Sequence, residues 1–139
     1  MIKPTATFTV FLVKDLPAAK AYYIGHLSFS VVFETDWYIH LSTANGIQVG
    51  FMRSGLPEMS SIFQDAHKGT SVILSLETED VDTAFAYVQK SGLIVIAPIK
   101  SEEWGQRHFI LQDPNGILVD VIQNTQPSHE YEGKYEAKP

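Results

Sequence analysis

Apolar and polar positions alternate with period two along most of this chain, and the alternation gives way twice to helical spacing. Residues 5–13 are a Thr/Val/Phe run that reads as a strand. Asp15-Leu16-Pro17 then offers an acidic helix cap with proline near the first helical position, and residues 18–26 place Ala19, Tyr22 and Tyr23 on one face. Short strands are expected over residues 29–33, 37–42 and 47–52, with Asn45-Gly46 turning the last pair. A linker follows at 54–70, with a short helix expected around 58–66. The order then recurs: a strand over 71–76, Asp80 capping a helix over 83–90, and a strand over 93–97. Two arms over 107–111 and 117–122 flank Asp113-Pro114-Asn115-Gly116. Proline pre-sets φ at a turn corner and Asn-Gly accepts positive φ, so these arms form a hairpin.

The recurrence holds at single positions. At an offset of 65, Asp15 meets Asp80, Ala19 meets Ala84, Ala21 meets Ala86 and Tyr22 meets Tyr87. Further on, Trp37 is aligned with Trp104, His40 with His108, and Asn45-Gly46 with Asn115-Gly116. Each half is too small to bury a core easily by itself. The reading is an α+β fold of two duplicated βαβββ modules, residues 1–53 and 71–124, joined by the linker 54–70 and followed by a polar tail, 125–139, frayed or laid over a neighbour.

Alternation also assigns faces. Ile47, Val49, Phe51, Ile39, Leu41, Phe109, Leu111, Ile117, Val119 and Val121 are expected to pack on the helices. The opposite face then carries Phe8, Val10, Tyr38, His40, Gln48, Gly50 and Met52 in the first module. In the second it carries Ile73, Ser75, His108, Ile110, Leu118, Asp120 and Ile122. Asp120, inside Ile-Leu-Val-Asp-Val-Ile, is costly to bury unless it is partnered or faces a wet cavity. Arg107 is expected to pair with Asp113 or Glu103.

Composition narrows the chemistry. The 139 residues are 45% hydrophobic, carry a net charge of −6 and contain no cysteine. Thiolate chemistry and cysteine-bound metal are excluded, nucleic acid is disfavoured as a partner, and cationic ligands are favoured. No apolar run approaches the ~20 residues of a membrane span, and the cytoplasm is the expected compartment.

Two motifs, Asp15-Leu16-Pro17-Ala18-Ala19 after a strand and Trp104-Gly105-Gln106-Arg107 leading through Phe109 and Leu111 to Asp113-Pro114-Asn115-Gly116 and Asp120, carry a resemblance. The chain resembles the vicinal oxygen chelate superfamily, which includes glyoxalase I, extradiol dioxygenases, and fosfomycin- and bleomycin-resistance proteins. The resemblance implies two βαβββ modules whose sheets curl around a shared cavity, usually in a homodimer. Metal-using members place His or Gln on each first strand and Glu on each last strand. Here the corresponding positions hold Phe8 and Ile73, then Gln48 or Gly50, and Asp120. The resemblance therefore implies no metal and no cofactor, and a small-molecule binding protein of the bleomycin-resistance type, with antibiotic resistance as its setting. Its ligand would be organic, cationic molecules included, touching Tyr38, His40, Gln48, Met52, Trp104, His108 and Asp120. The alternative is a divalent-metal glyoxalase-like lyase, isomerase or dioxygenase using His40, His108 and Asp120, so whether the chain is an enzyme stays open here.

Overall fold

The computed structural model of the chain describes residues 1–136; the end of the expected tail, 137–139, lies outside them. Two compact units are present, residues 1–69 with Pro114–Gly116, and residues 70–113 with those from 117 onward. Each contains one four-stranded mixed sheet.

In the first unit the order along the chain is β1 (Thr9–Val13), α1 (Leu16–His26), β2 (Ser30–Glu34), β3 (Tyr38–Ser42) and β4 (Gln48–Arg53). The sheet runs β1-β4-β3-β2, with β1 parallel to β4 and the other pairs antiparallel. Strand β1 begins at Thr9 rather than residue 5, because its partner β4 begins at Gln48, with Thr9 opposite Val49, and earlier residues have no ladder to join. Phe11, Val13, Ile39, Leu41, Val49 and Phe51 are buried on one sheet face, against Leu16, Ala19, Tyr22 and Tyr23 of α1. Asp15 caps α1 by accepting from the Ala18 amide at 2.9 Å. The Asn115 side chain brackets the same cap, accepting from Asp15 N at 3.0 Å and donating to Asp15 O at 2.9 Å. The helix expected around 58–66 is reduced to one 3-10 turn, Ser61–Phe63.

The second unit repeats the order as β5 (Ile73–Glu77), α2 (Val81–Ser91), β6 (Val95–Glu102), β7 (Gln106–Gln112) and β8 (Leu118–Asn124), with sheet order β5-β8-β7-β6. Phe109, Leu111, Ile117, Val119 and Val121 are buried, and Val81 and Val88 are the buried residues of α2. Strand β6 continues past Pro98 to Glu102, well beyond the expected end at residue 97. Proline is compatible with an edge strand, and the register slips between Ala97 and Lys100. Arg107 pairs neither with Asp113 nor with Glu103. Its guanidinium reaches Asp82 at 2.8 Å across the helix-facing side, while Asp113 accepts from the Ile117 amide inside the turn. The expected tail is in part structured, with a short helix α3 (His129–Glu132).

Strand register refines the internal repeat. In the first hairpin Ser42 faces Gln48 and His40 faces Gly50; in the second Gln112 faces Leu118 and Ile110 faces Asp120. Thr43 and Asp113 occupy matching turn positions, each accepting from the amide of an isoleucine four residues on, Ile47 at 3.0 Å and Ile117 at 2.9 Å. With the turns superposed, Tyr38 corresponds to His108, His40 to Ile110 and Gly50 to Asp120. The sequence alignment of His40 with His108, and of Trp37 with Trp104, is therefore displaced. The path from β6 into β7 carries an insertion that sequence alone placed on the wrong side of the tryptophan.

The α2 cap supplies a pH-linked prediction. Asp80 accepts from the Thr83 amide at 3.0 Å and from its hydroxyl at 2.7 Å. The Thr83 backbone bond first, and its hydroxyl second, hold the Asp80 carboxyl below the ordinary aspartate value of 3.8. A carboxyl depressed on folding stabilises fully above its unfolded pKa, and that contribution fades as pH falls through the folded one. The melting-temperature gap between wild type and Asp80→Ala should therefore be full at neutral pH and should narrow as acid is added below about pH 4.

Candidate functional site

The face of each sheet turned away from its helix carries the polar groups. In the first unit, Tyr38, His40, Gln48, Gly50 and Met52 share that face through the β3–β4 register. Three of them form one hydrogen-bonded chain, with Tyr38 Oη 2.8 Å from His40 Nδ1 and His40 Nε2 2.7 Å from Gln48 Oε1. The Gln48 carbonyl oxygen only accepts, so its contact calls for a ring proton on Nε2. Burial pushes the Tyr38 hydroxyl above its ordinary pKa, which keeps it a donor. Phe8 stands edge-on to the His40 ring at 4.7 Å. Met52 lies opposite Tyr38 on the neighbouring strand.

Gly50 makes this chain geometrically possible. A Cβ on it would lie 2.5 Å from Tyr38 Oη and 3.1 Å from Val10 Cγ2. The tyrosine hydroxyl thus occupies the space that a side chain at residue 50 would need. Gly50→Ala should cost about 1–3 kcal/mol by overpacking. Tyr38→Phe in the same chain should recover much of that loss, because it removes the nearest clashing atom. A double-mutant cycle in urea checks the pair, and purely additive losses would contradict the contact.

In the second unit the corresponding positions hold His108 and Asp120. His108 Nδ1 is 2.8 Å from Asp120 Oδ1, and Nε2 is 3.4 Å from Glu102 Oε1. Histidine and both carboxylates are largely buried, their side chains 15%, 12% and 15% exposed in that order. Lys100 approaches the other Glu102 oxygen at 3.3 Å from an exposed position. Leu118 and Ile122 beside the pair are buried, and Asp120 lies between Ile110 on β7 and Ser75 on β5. Trp104 is 39% exposed, with its ring centroid 6.4 Å from that of His108, and its indole N–H donates to Gln106 Oε1 at 2.9 Å. The costly carboxylate of β8 is thus partnered by histidine, not by a backbone amide or Arg107.

The site residues expected from sequence accordingly fall into two clusters, Tyr38–His40–Gln48 with Met52 beside it, and His108–Asp120 with Trp104 beside it. Glu102 was missed. The Ser-Glu-Glu run before Trp104 was its signal, but Pro98 cut the strand reading short before the alternation reached it.

The residues present do not fit a metal centre. Phe8 and Ile73 offer hydrocarbon where the resemblance places donors. Both nitrogens of His40 are engaged by Tyr38 and Gln48. Asp120 and Glu102 address opposite nitrogens of the His108 ring, so they do not converge on one point. Among the described residues, no three His, Asp or Glu side chains are placed to hold an ion.

Comparison with known proteins supports the same frame. Residues 6–121 match the family model described as Glyoxalase/Bleomycin resistance protein/Dioxygenase superfamily. No curated protein matches the chain. Among solved structures, a glyoxalase/bleomycin resistance protein/dioxygenase from Nocardioides is 16% identical with a TM-score of 0.76, covering 100% of this chain and 91% of its own. A member of that superfamily from Sphaerobacter thermophilus is 21% identical with a TM-score of 0.71, covering 89% of this chain and 100% of its own. A lactoylglutathione lyase from Agrobacterium tumefaciens is 16% identical with a TM-score of 0.68, covering 86% of this chain and 94% of its own. At these identities the structures share the fold with this chain.

Proposed function

We propose that this chain, which belongs to the glyoxalase/bleomycin resistance protein/dioxygenase superfamily, is a metal-independent binding protein for a flat organic cation, a drug or a metabolite. The observation that carries this reading is the placement of His108 between Asp120 and Glu102 on a sheet face that also holds Leu118, Ile122 and Ile110. Asp120 spends one oxygen on His108 and keeps the other for a ligand, whereas Glu102 has His108 at one oxygen and Lys100 at the other. In a partly water-excluded setting the Asp120 carboxylate attracts a cation more strongly than it would in bulk water. Half-buried Ile110 supplies apolar surface for a planar body, and exposed Trp104 supplies a ring face for stacking or a cation–π contact. The net charge of −6 adds a long-range attraction for cations.

Proflavine, a planar aromatic cation, is a suitable probe. Titration followed by dye fluorescence and tryptophan quenching should show saturable binding, weakened by salt in part because the exposed share of the attraction is screened. Absence of saturable binding by the folded protein would overturn the reading.

A further inference from the structure

The segment after β8 folds back onto its own unit and is held by three consecutive carbonyls. Thr125 N donates to Gly105 O at 2.8 Å, Ser128 N to Glu103 O at 2.8 Å, and the Tyr135 hydroxyl to Trp104 O. Within this arm, Gln126 and His129 both bond Glu132, at 3.1 Å and 3.2 Å, closing α3. Gly105 permits the approach: its φ is +102°, and a Cβ there would lie 3.0 Å from Thr125 O and 3.2 Å from Pro127. Any other residue at that position would push the arm away.

Between arm and sheet end is a cleft of about 490 Å³, lined by Glu77, Gln106, Asn124, Thr125, Pro127 and Tyr135 beside Gly105. Gln106 faces Asn124 across β7–β8, and Glu77 faces Ile122 across β5–β8, on the same sheet side as His108 and Asp120. No lysine or arginine lines this cleft. Among the described residues Glu77 makes no ion pair, whereas six other pairs are formed. Tyr135 is 58% exposed, leaving ring surface available to a ligand. The Gln106 amide oxygen is already taken by the Trp104 indole N–H, so the carboxylate of Glu77 is the charged acceptor of the cleft and the Tyr135 ring its aromatic face.

We propose that this cleft is a recognition pocket for an ammonium or guanidinium group, with Glu77 as its counter-ion and Tyr135 as its aromatic wall. The proposal rests on the open-face reading above in that both pockets use one sheet face, so the ligand's basic group extends past Trp104 toward the arm. The arm is then a specificity element: it builds the pocket's outer wall from residues that follow the last strand.

The test is a titration of the full-length, ¹⁵N-labelled chain with benzamidinium, with neutral benzamide as control. Saturable shifts are expected at the Gly105, Gln106, Asn124 and Thr125 amides, and none with benzamide. Glu77→Gln and Tyr135→Ala should each weaken binding, the former by about tenfold as expected for loss of a direct charge partner. Equal affinity in Glu77→Gln, shifts that map away from the arm, or an equal response to benzamide would overturn the pocket. In Asp120→Asn the arm-centred shifts should persist. Their loss there would put the probe at Asp120 instead, overturning the pocket while leaving the open-face reading intact.

Discussion

Replacing Phe51 with alanine should lower the unfolding free energy by about 3–5 kcal/mol. Phe51 is fully buried, packs against Tyr23 at 4.6 Å between ring centroids and stacks on Phe11 at 6.1 Å. It also pairs with Phe11 on β1 and Ile39 on β3, so its ring lies at the centre of the first sheet's helix-facing side. Removing it leaves a cavity that sheet and helix cannot both move to fill. Urea denaturation should show a lower midpoint with an unchanged slope. A loss below about 1 kcal/mol would mean that the first unit's core is not organised around this ring.

Asp120→Asn should weaken proflavine binding by at least about tenfold, or about 1.4 kcal/mol. The amide keeps the shape of the carboxylate but removes its charge, and its NH₂ group competes as a donor for the position His108 now fills. Near-UV circular dichroism should confirm an unchanged fold. His108→Ala should also weaken binding, for a different reason: it leaves Asp120 largely buried with no partner, so the carboxylate moves or binds water. Equal affinity in both variants would remove the second-unit cluster from the ligand site.

How much of this was legible in the sequence depends on how local the signal is. The helix caps at Asp15 and Asp80, the Asn-Gly turns and the face assignments of β3, β4, β7 and β8 follow from neighbours within a few residues and are present in the structure, except that Ile47, expected to pack on the helix, precedes β4 and is 41% exposed. The Arg107 partner was misread because Asp82 is close only once α2 packs on β7, a tertiary fact with no sequence spacing. Glu102 was lost because proline is a strong strand-breaking signal, and only the position of β6 at the sheet edge reveals that it is tolerated there. The His40–His108 alignment failed because identical residues two positions out of register are more conspicuous than the Thr43–Asp113 correspondence that fixes the turns. The Tyr38 hydroxyl over Gly50 had no sequence signal, since nothing local says which side chain fills the room a glycine leaves. The arm was read from its polarity alone, while its anchors are backbone carbonyls that carry no residue-type mark.

The account turns on binding that uses this chain's own side chains. Its most direct test is calorimetric titration of proflavine into protein dialysed against EDTA, repeated after adding Mn, Ni, Zn or Fe(II). The account predicts saturable binding in EDTA and the same affinity after each metal. Binding that appears only after a metal is restored, or no binding in either state, would contradict it.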